Sequence, residues 1–132
     1  MDHIQNIDDL VTGTVLRVSH GPYDHVGLVS DRYINGERAV LSFAASTAGL
    51  LEEPFSVFAL NRRVYNDGYL SQLAPYWVMV RARAITHRRY SWTAYNCEHF
   101  VRDAHGLKPE SPQLQSWLVL GSFVGLVLAA AR

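Results

Sequence analysis

The chain has almost no cysteine. Cys97 stands alone among 132 residues, so no internal disulfide can form, and the paired-cysteine knuckle of a structural metal site is missing. The six histidines are scattered and show no H-x3-H pairing with cysteines, which leaves no zinc-ligand pattern. No metal and no cofactor is expected. A surplus of charge is also lacking. Twelve Lys and Arg balance twelve Asp and Glu, which argues against broad electrostatic binding of nucleic acid. One local basic cluster stands out at His87-Arg88-Arg89, with Arg81 and Arg83 close by. The first ten residues carry Asp2, Asp8 and Asp9 and no apolar run, so no secretory signal peptide is expected. A reducing, cytoplasmic setting follows from these features. Internal repeats and low-complexity tracts are missing too.

What is present suits a folded domain. Hydrophobic residues make up 48% and charged residues 18%, in a length that allows one domain with a real core. Residues 1–10 read as a polar lead-in. Thr14 to Val18 reads as a strand, and Gly21-Pro22 marks a turn before a second strand from His25 to Ser30. Asn35-Gly36 is a hairpin signal, with a third strand from Ala39 to Phe43 antiparallel to the second. Ala44 to Pro54 is expected to be a loop with a helical turn. Phe55 to Leu60 and Arg62 to Tyr65 are expected to be short strands. Pro75 suits the first position of a helix, where its missing N–H costs nothing. Behind it, Trp77, Val80 and Ala84 with Val78, Ala82 and Ile85 make the expected apolar face. Strands come first and helices later, which predicts an α+β fold with a small antiparallel sheet and helices packed on one side.

The last segment differs. From Ser116 to Ala131 there is no charge, and Arg132 closes the run. A full helical span of a bilayer needs about 20 apolar residues, and this run is several short. Trp117 suits a headgroup-level anchor, and Gly121 and Gly125 form a G-x-x-x-G face. The expected organisation is a domain over 1–110 and a hydrophobic C-terminal helix or tail over 111–132. That tail would contact a membrane or lipid, or pack into the domain or against a second copy.

The rest of the chain is read around Tyr95-Asn96-Cys97-Glu98-His99-Phe100-Val101. Asn96 stands where a helix N-cap would sit, and Phe100, Val101 and Ala104 follow at helical spacing. A thiol in the first turn faces unpaired backbone N–H groups and the positive end of the helix dipole, which favour thiolate. A buried free cysteine is the ordinary alternative. A thiol nucleophile needs a base within hydrogen-bond reach. His25 is the best candidate, because it opens a strand directly after a turn. His99 points away from Cys97 around a helix, His105 lies at the far end, and His20 and His87 sit in turn-like stretches.

The stretch Asn96-Cys97-Glu98-His99-Phe100-Val101 resembles the NCEHF box of the lecithin:retinol acyltransferase family. That family includes the HRAS-like suppressor phospholipase/acyltransferases, a permuted branch of the NlpC/P60 papain-like enzymes. Gly13 to Asp31, with Tyr23, Asp24, His25, Val26, Gly27 and Leu28, is similar to the family's H-box. Val80 to Tyr95 is similar in length and pattern to the helix before the box. Ser111-Pro112-Gln113 resembles the Ser-Pro-Gln that follows it. The resemblance implies Cys97 as nucleophile, His25 as its base and the Cys97 N–H in an oxyanion hole. It implies thiolate attack on a lipid ester and passage of the acyl group to water, an amine or an alcohol, with the hydrophobic C-terminus docking on the insoluble substrate.

One position departs from that pattern. The family commonly carries a second histidine on the next strand, and the matching position is Ser42 in Val40-Leu41-Ser42-Phe43. A serine can accept from the imidazole but orients it less firmly than a second ring, and loss of an orienting group lowers rates by orders of magnitude. Asp24 and Glu98 are the available substitutes. This departure, the short length and the terminal apolar run also resemble the picornavirus 2A proteins of the H-box/NC type, which are associated with virus replication. The expectation is therefore an H-box/NC protein with weak or lost Cys-His acyl transfer. It would lie in the host cytoplasm or at intracellular membranes, with a viral or host protein or a second copy as partner. The alternative is an active thiol phospholipase A/acyltransferase on membrane phospholipids.

Overall fold

Asn35 and Gly36 both hold positive φ, 54° and 79°, which is what a two-residue hairpin loop of the twisted I′ kind requires. They join the two strands on which the fold is built. The structure is a computed structural model, and residues 3–119 of it are described. The flanking strands are β3 (Asp24–Ile34) and β4 (Glu37–Ala44), with Gly27 opposite Ser42 and Val29 opposite Val40. The remaining strands are β1 (His3–Ile4), β2 (Val15–Ser19), β5 (Gly49–Pro54) and β6 (Val64–Gly68). Together they form one six-stranded sheet in the order β1-β6-β2-β3-β4-β5, antiparallel at every pairing. The helices are α1 (Phe55–Ala59), α2 (Pro75–Ala84), α3 (Cys97–Ala104) and α4 over 112–119. The α+β class is as expected.

Side chains alternate across a pleated strand, so β3 and β4 sort their residues between two cores. Val26 and Leu28 with Leu41 and Phe43 pack against Val78, Met79 and Ala82 of α2 and Cys97, Phe100 and Val101 of α3. Val29 and Val40 with Leu16 and Val18 pack on the other face against Phe58 of α1 and against Ile7. Gly27 is needed on this second face. A Cβ there would lie 2.7 Å from Val40 Cγ1 and 3.1 Å from the Phe58 ring.

Several expectations are corrected here. Helices were expected on one side of the sheet, yet α1 covers the opposite face. Residues 55–60, expected to be a short strand, instead hold the helix α1 over Phe55–Ala59. They form a helix because Phe55, Phe58 and Ala59, at i, i+3 and i+4, meet the second core together. Residues 49–54, read as loop, are the edge strand β5, where Leu50, Leu51, Glu52 and Glu53 pair in register with Phe43, Ser42, Leu41 and Val40. Pro75 opens α2 as expected. The helix buries Val78, Met79, Ala82 and the following Ile85, however, while Trp77 and Val80 of the expected face are exposed.

The polar lead-in also belongs to the fold. Ile7 is buried in the second core. The guanidinium of Arg38, itself buried, donates to the carbonyls of Ser30 (2.8 Å), Asp8 (2.9 Å) and Leu10 (3.0 Å) and to Thr12 Oγ1 (2.8 Å). Among the described residues no helix is long and apolar enough to cross a membrane. Residues 120–131, with Gly121 and Gly125, lie outside them. The start of the C-terminal segment is tied to the domain, because Ser111 and Leu114 are buried.

Candidate functional site

Asn96 builds the site from the backbone outward. As the N-cap of α3, its side-chain oxygen accepts from the backbone N–H groups of Glu98 (2.9 Å) and His99 (3.3 Å). The His99 ring accepts in return from the Asn96 N–H through Nδ1, at 2.9 Å. This reciprocal arrangement is a capping box, with histidine where Glu or Gln is usual. The amide of Asn96 donates to Trp92 O and to Ser111 Oγ, both at 3.0 Å. Three chain segments are thereby fixed at one end of α3, and Cys97 is set at its first position.

The helix start was expected to favour thiolate. Burial acts the other way. Cys97 is fully buried, and burial pushes its thiol above the ordinary value, against hydrogen bonds from Tyr23 and from the Val26 backbone that favour the anion. Two N–H groups that could have faced a thiolate are already bound to Asn96. The Sγ atom lies 2.9 Å from the Tyr23 hydroxyl, which lies 3.1 Å from the Tyr90 hydroxyl. The neutral phenol of Tyr23 is strongly favoured by burial and by the neighbouring Cys97. A chain of two phenols therefore covers the thiol.

His25 is elsewhere. It shares the strand face of Gly27 and Val29, opposite Val18 of β2, and its ring packs 5.4 Å from that of Phe58. Val26, the next residue, faces Cys97. His25 and Cys97 therefore occupy opposite faces of the sheet. Ser42, on the same face as Val40, lies with its hydroxyl 3.3 Å from His25 Nε2. The structure thus brings His25 and Ser42 together and sets Cys97 apart from both. Burial, with His20 nearby, pushes the His25 imidazole down to about 4.

The two substitutes proposed for an orienting residue are engaged on the Cys97 face. Glu98 is buried and accepts from Ser111 Oγ (2.6 Å) and the Gln113 N–H (3.0 Å). Arg17 reaches Asp67 (2.7 Å), Asp24 (3.2 Å) and Glu98 (3.6 Å). The side chain of Gln113 accepts from the Asp24 N–H and donates to the Asp24 carbonyl. Arg17, Asp67 and Glu98 border a cavity of about 160 Å³ that Val26 and Leu70 also line, below the size usual for a small-molecule site. Arg17, Asp24 and Asp67, with Ser19 and Tyr65, line a second and more open one of about 540 Å³, which is within that range. Cys97 lines neither. Among the described residues no group of three His, Cys, Asp or Glu could hold a metal ion.

His105 is buried between Ser71 Oγ (2.7 Å) and the Gly13 carbonyl (2.8 Å), far along α3 from the thiol, as its position at the helix end requires. Sequence reasoning missed Tyr23, Tyr90 and the cap role of His99. Tyr23 carried a signal, since it lies inside the stretch that resembles the H-box. Tyr90 carried none. No family model, no curated protein and no solved structure matches the chain.

Proposed function

We propose that this chain is a domain of the H-box/NC type, on a permuted papain-like plan, that works by contact rather than by thiol chemistry. Its Cys-His acyl transfer is weak or lost. The reading of the plan rests on the Asn96–Val101 box at a helix start packed across an antiparallel sheet. One observation carries the reading of the chemistry. His25 and Ser42 project from one face of the sheet, while the Cys97 thiol lies under the other face, capped by Tyr23. A general base must come within hydrogen-bond reach of the proton it takes, and a strand in the middle of a sheet cannot present one residue to both sides. The apolar run 116–131 is the contact element in this reading, with lipid or another chain as its counterpart.

The test is acyl release from phospholipid vesicles and alkylation of Cys97 by iodoacetamide, for the wild type, Cys97→Ala and His25→Ala. The expected result is acyl release no greater than that of Cys97→Ala, and slow alkylation of equal rate in wild type and His25→Ala. Acyl release that needs both Cys97 and His25 would restore the active acyltransferase reading.

A further inference from the structure

The basic cluster noted in the sequence has no part in the site, and its surroundings are unusual. From Gly68 to Cys97 there is no Asp or Glu, while four arginines fall in that stretch, leaving eight basic against twelve acidic residues elsewhere. Two of the four are engaged. Arg81 binds Asp103, and Arg83 binds Asp31 and Glu52. The other two, Arg88 and Arg89, are exposed on the loop between α2 and α3 and have no ion-pair partner among the described residues. Arg88 lies 4.5 Å over the Tyr95 ring and is itself exposed. Beside them in the same loop Trp92 is 43% exposed.

This loop is joined to the C-terminal segment. The Asn96 side chain donates to both Trp92 O and Ser111 Oγ, and α4 starts directly after Ser111. Along α4, Trp117, Leu118 and Val119 are exposed, and the sequence beyond stays uncharged to Ala131. One end of the molecule thus presents unpaired arginines and a tryptophan next to an apolar helix. A single-stranded nucleic acid would use the arginines and the aromatic ring but would leave exposed aliphatic side chains wet. A lipid surface uses all three, with tryptophan at headgroup level, arginine at anionic headgroups and aliphatic residues below.

We propose that the 86–93 loop reads the negative charge of a phospholipid surface through Arg88 and Arg89, with Trp92 at headgroup depth. This deepens the lipid-contact reading of 116–131 and rests on it. The tail supplies apolar contact with any bilayer, and the loop supplies preference for an anionic one.

The test is flotation of the full chain with vesicles of phosphatidylcholine alone or with about a third phosphatidylserine. Each arginine near an anionic surface strengthens binding about fivefold. The wild type should prefer the anionic vesicles about 25-fold, and 0.5 M salt should remove the preference. Arg88→Glu/Arg89→Glu should lose it, with neutral-vesicle binding unchanged. Because Arg88 packs on Tyr95, Arg89→Glu and Trp92→Ala serve as separate variants, and both should weaken anionic binding. Arg63→Glu, an equal charge change on the loop between α1 and β6, should not. Equal binding of the wild type to both vesicles, or a preference that survives in the double variant, would overturn the proposal. So would salt-sensitive binding of single-stranded RNA that the double variant loses while vesicle binding does not change. Failure of the tail reading is distinct, since it removes binding to neutral vesicles while any anionic preference persists.

Discussion

Tyr23 and Cys97 are partners across 74 positions of sequence, their hydroxyl and sulfur 2.9 Å apart. The tyrosine stands just before β3, at the place beside the thiol where a catalytic base would have to be. It does two opposed things. Its hydroxyl favours the anion by hydrogen bonding, and its ring excludes the water and reagents on which reactivity depends.

Substituting Tyr23 therefore separates cover from chemistry. Tyr23→Ala should expose Cys97 and raise its alkylation rate by iodoacetamide at least about tenfold, because the gain in access and the relief of burial, the largest influence on the thiol, outweigh the lost hydrogen bond. Tyr23→Phe keeps the ring and removes the hydroxyl, so alkylation should stay slow. A Tyr23→Ala protein that reacts at the wild-type rate would show that something else shields the thiol.

Loss of the cap residue should be costly. Asn96→Ala removes the acceptor for two helix N–H groups and the donor to Trp92 O and Ser111 Oγ. A cap is worth about 1 kcal/mol, and stranded buried partners add more, so urea unfolding should show a loss of about 3 kcal/mol. Asn96→Asp keeps the acceptor and should lose less. Equal losses in the two variants would mean that the donor side of the amide dominates.

At Gly27 the expected effect is overpacking. A Cβ 2.7 Å from Val40 Cγ1 and 3.1 Å from Phe58 forces the second core apart, which typically costs about 1–3 kcal/mol. Gly27→Ala should lower the unfolding midpoint, and Gly27→Ala combined with Val40→Ala should recover part of the loss. A double variant that is simply the sum of two losses would place the strain elsewhere.

The buried His25 should make stability depend on pH. The folded protein binds this proton only near pH 4, whereas the unfolded chain binds it at the ordinary 6.5. The neutral ring therefore contributes fully above pH 6.5, and the contribution falls away as pH drops through 4, by about 3 kcal/mol in all. His99 and His105 are also pushed down by burial and act in the same direction. The difference between wild type and His25→Gln isolates the one group. Urea midpoints of the variant should fall less steeply between pH 7 and 4, and parallel curves would contradict the burial of a neutral imidazole.

How far the sequence exposed this architecture depended on what kind of signal each element carried. Asn35-Gly36 and Pro75 announce their backbone geometry by themselves, and both stand where the reading put them. Asn96 before a helical run likewise marked its cap. Residues 49–60 were misread because their patterns are ambiguous. Phe55, Val57 and Ala59 satisfy an alternating strand, while Phe55, Phe58 and Ala59 satisfy a helix turn, and only the site where Phe58 packs decides between them. The pairing of Gly-Leu-Leu-Glu-Glu-Pro at the sheet edge depends on β4 beside it rather than on its own composition. The site was harder still. Cys97 and His25 could be singled out from the residues and Ser42 from the resemblance alone, while the His25–Ser42 contact is visible only once β3 and β4 are paired. Which face His25 takes rests on a one-residue register, and a slip of one exchanges the faces of a whole strand.

Arg38 gives the N-terminal lead-in a purpose that its composition hides. A guanidinium taken out of water must find its five donors other acceptors, and here the carbonyls of residues 7, 8 and 10 and the hydroxyl of Thr12 supply most of them. Residues 7–12 are thus a hydration shell made of polypeptide, covalently attached and permanently in place. The consequence is a direction of tolerance. Additions before residue 3 leave the shell intact, whereas removal of twelve residues would open the second core to solvent at the cation that β4 had kept dry.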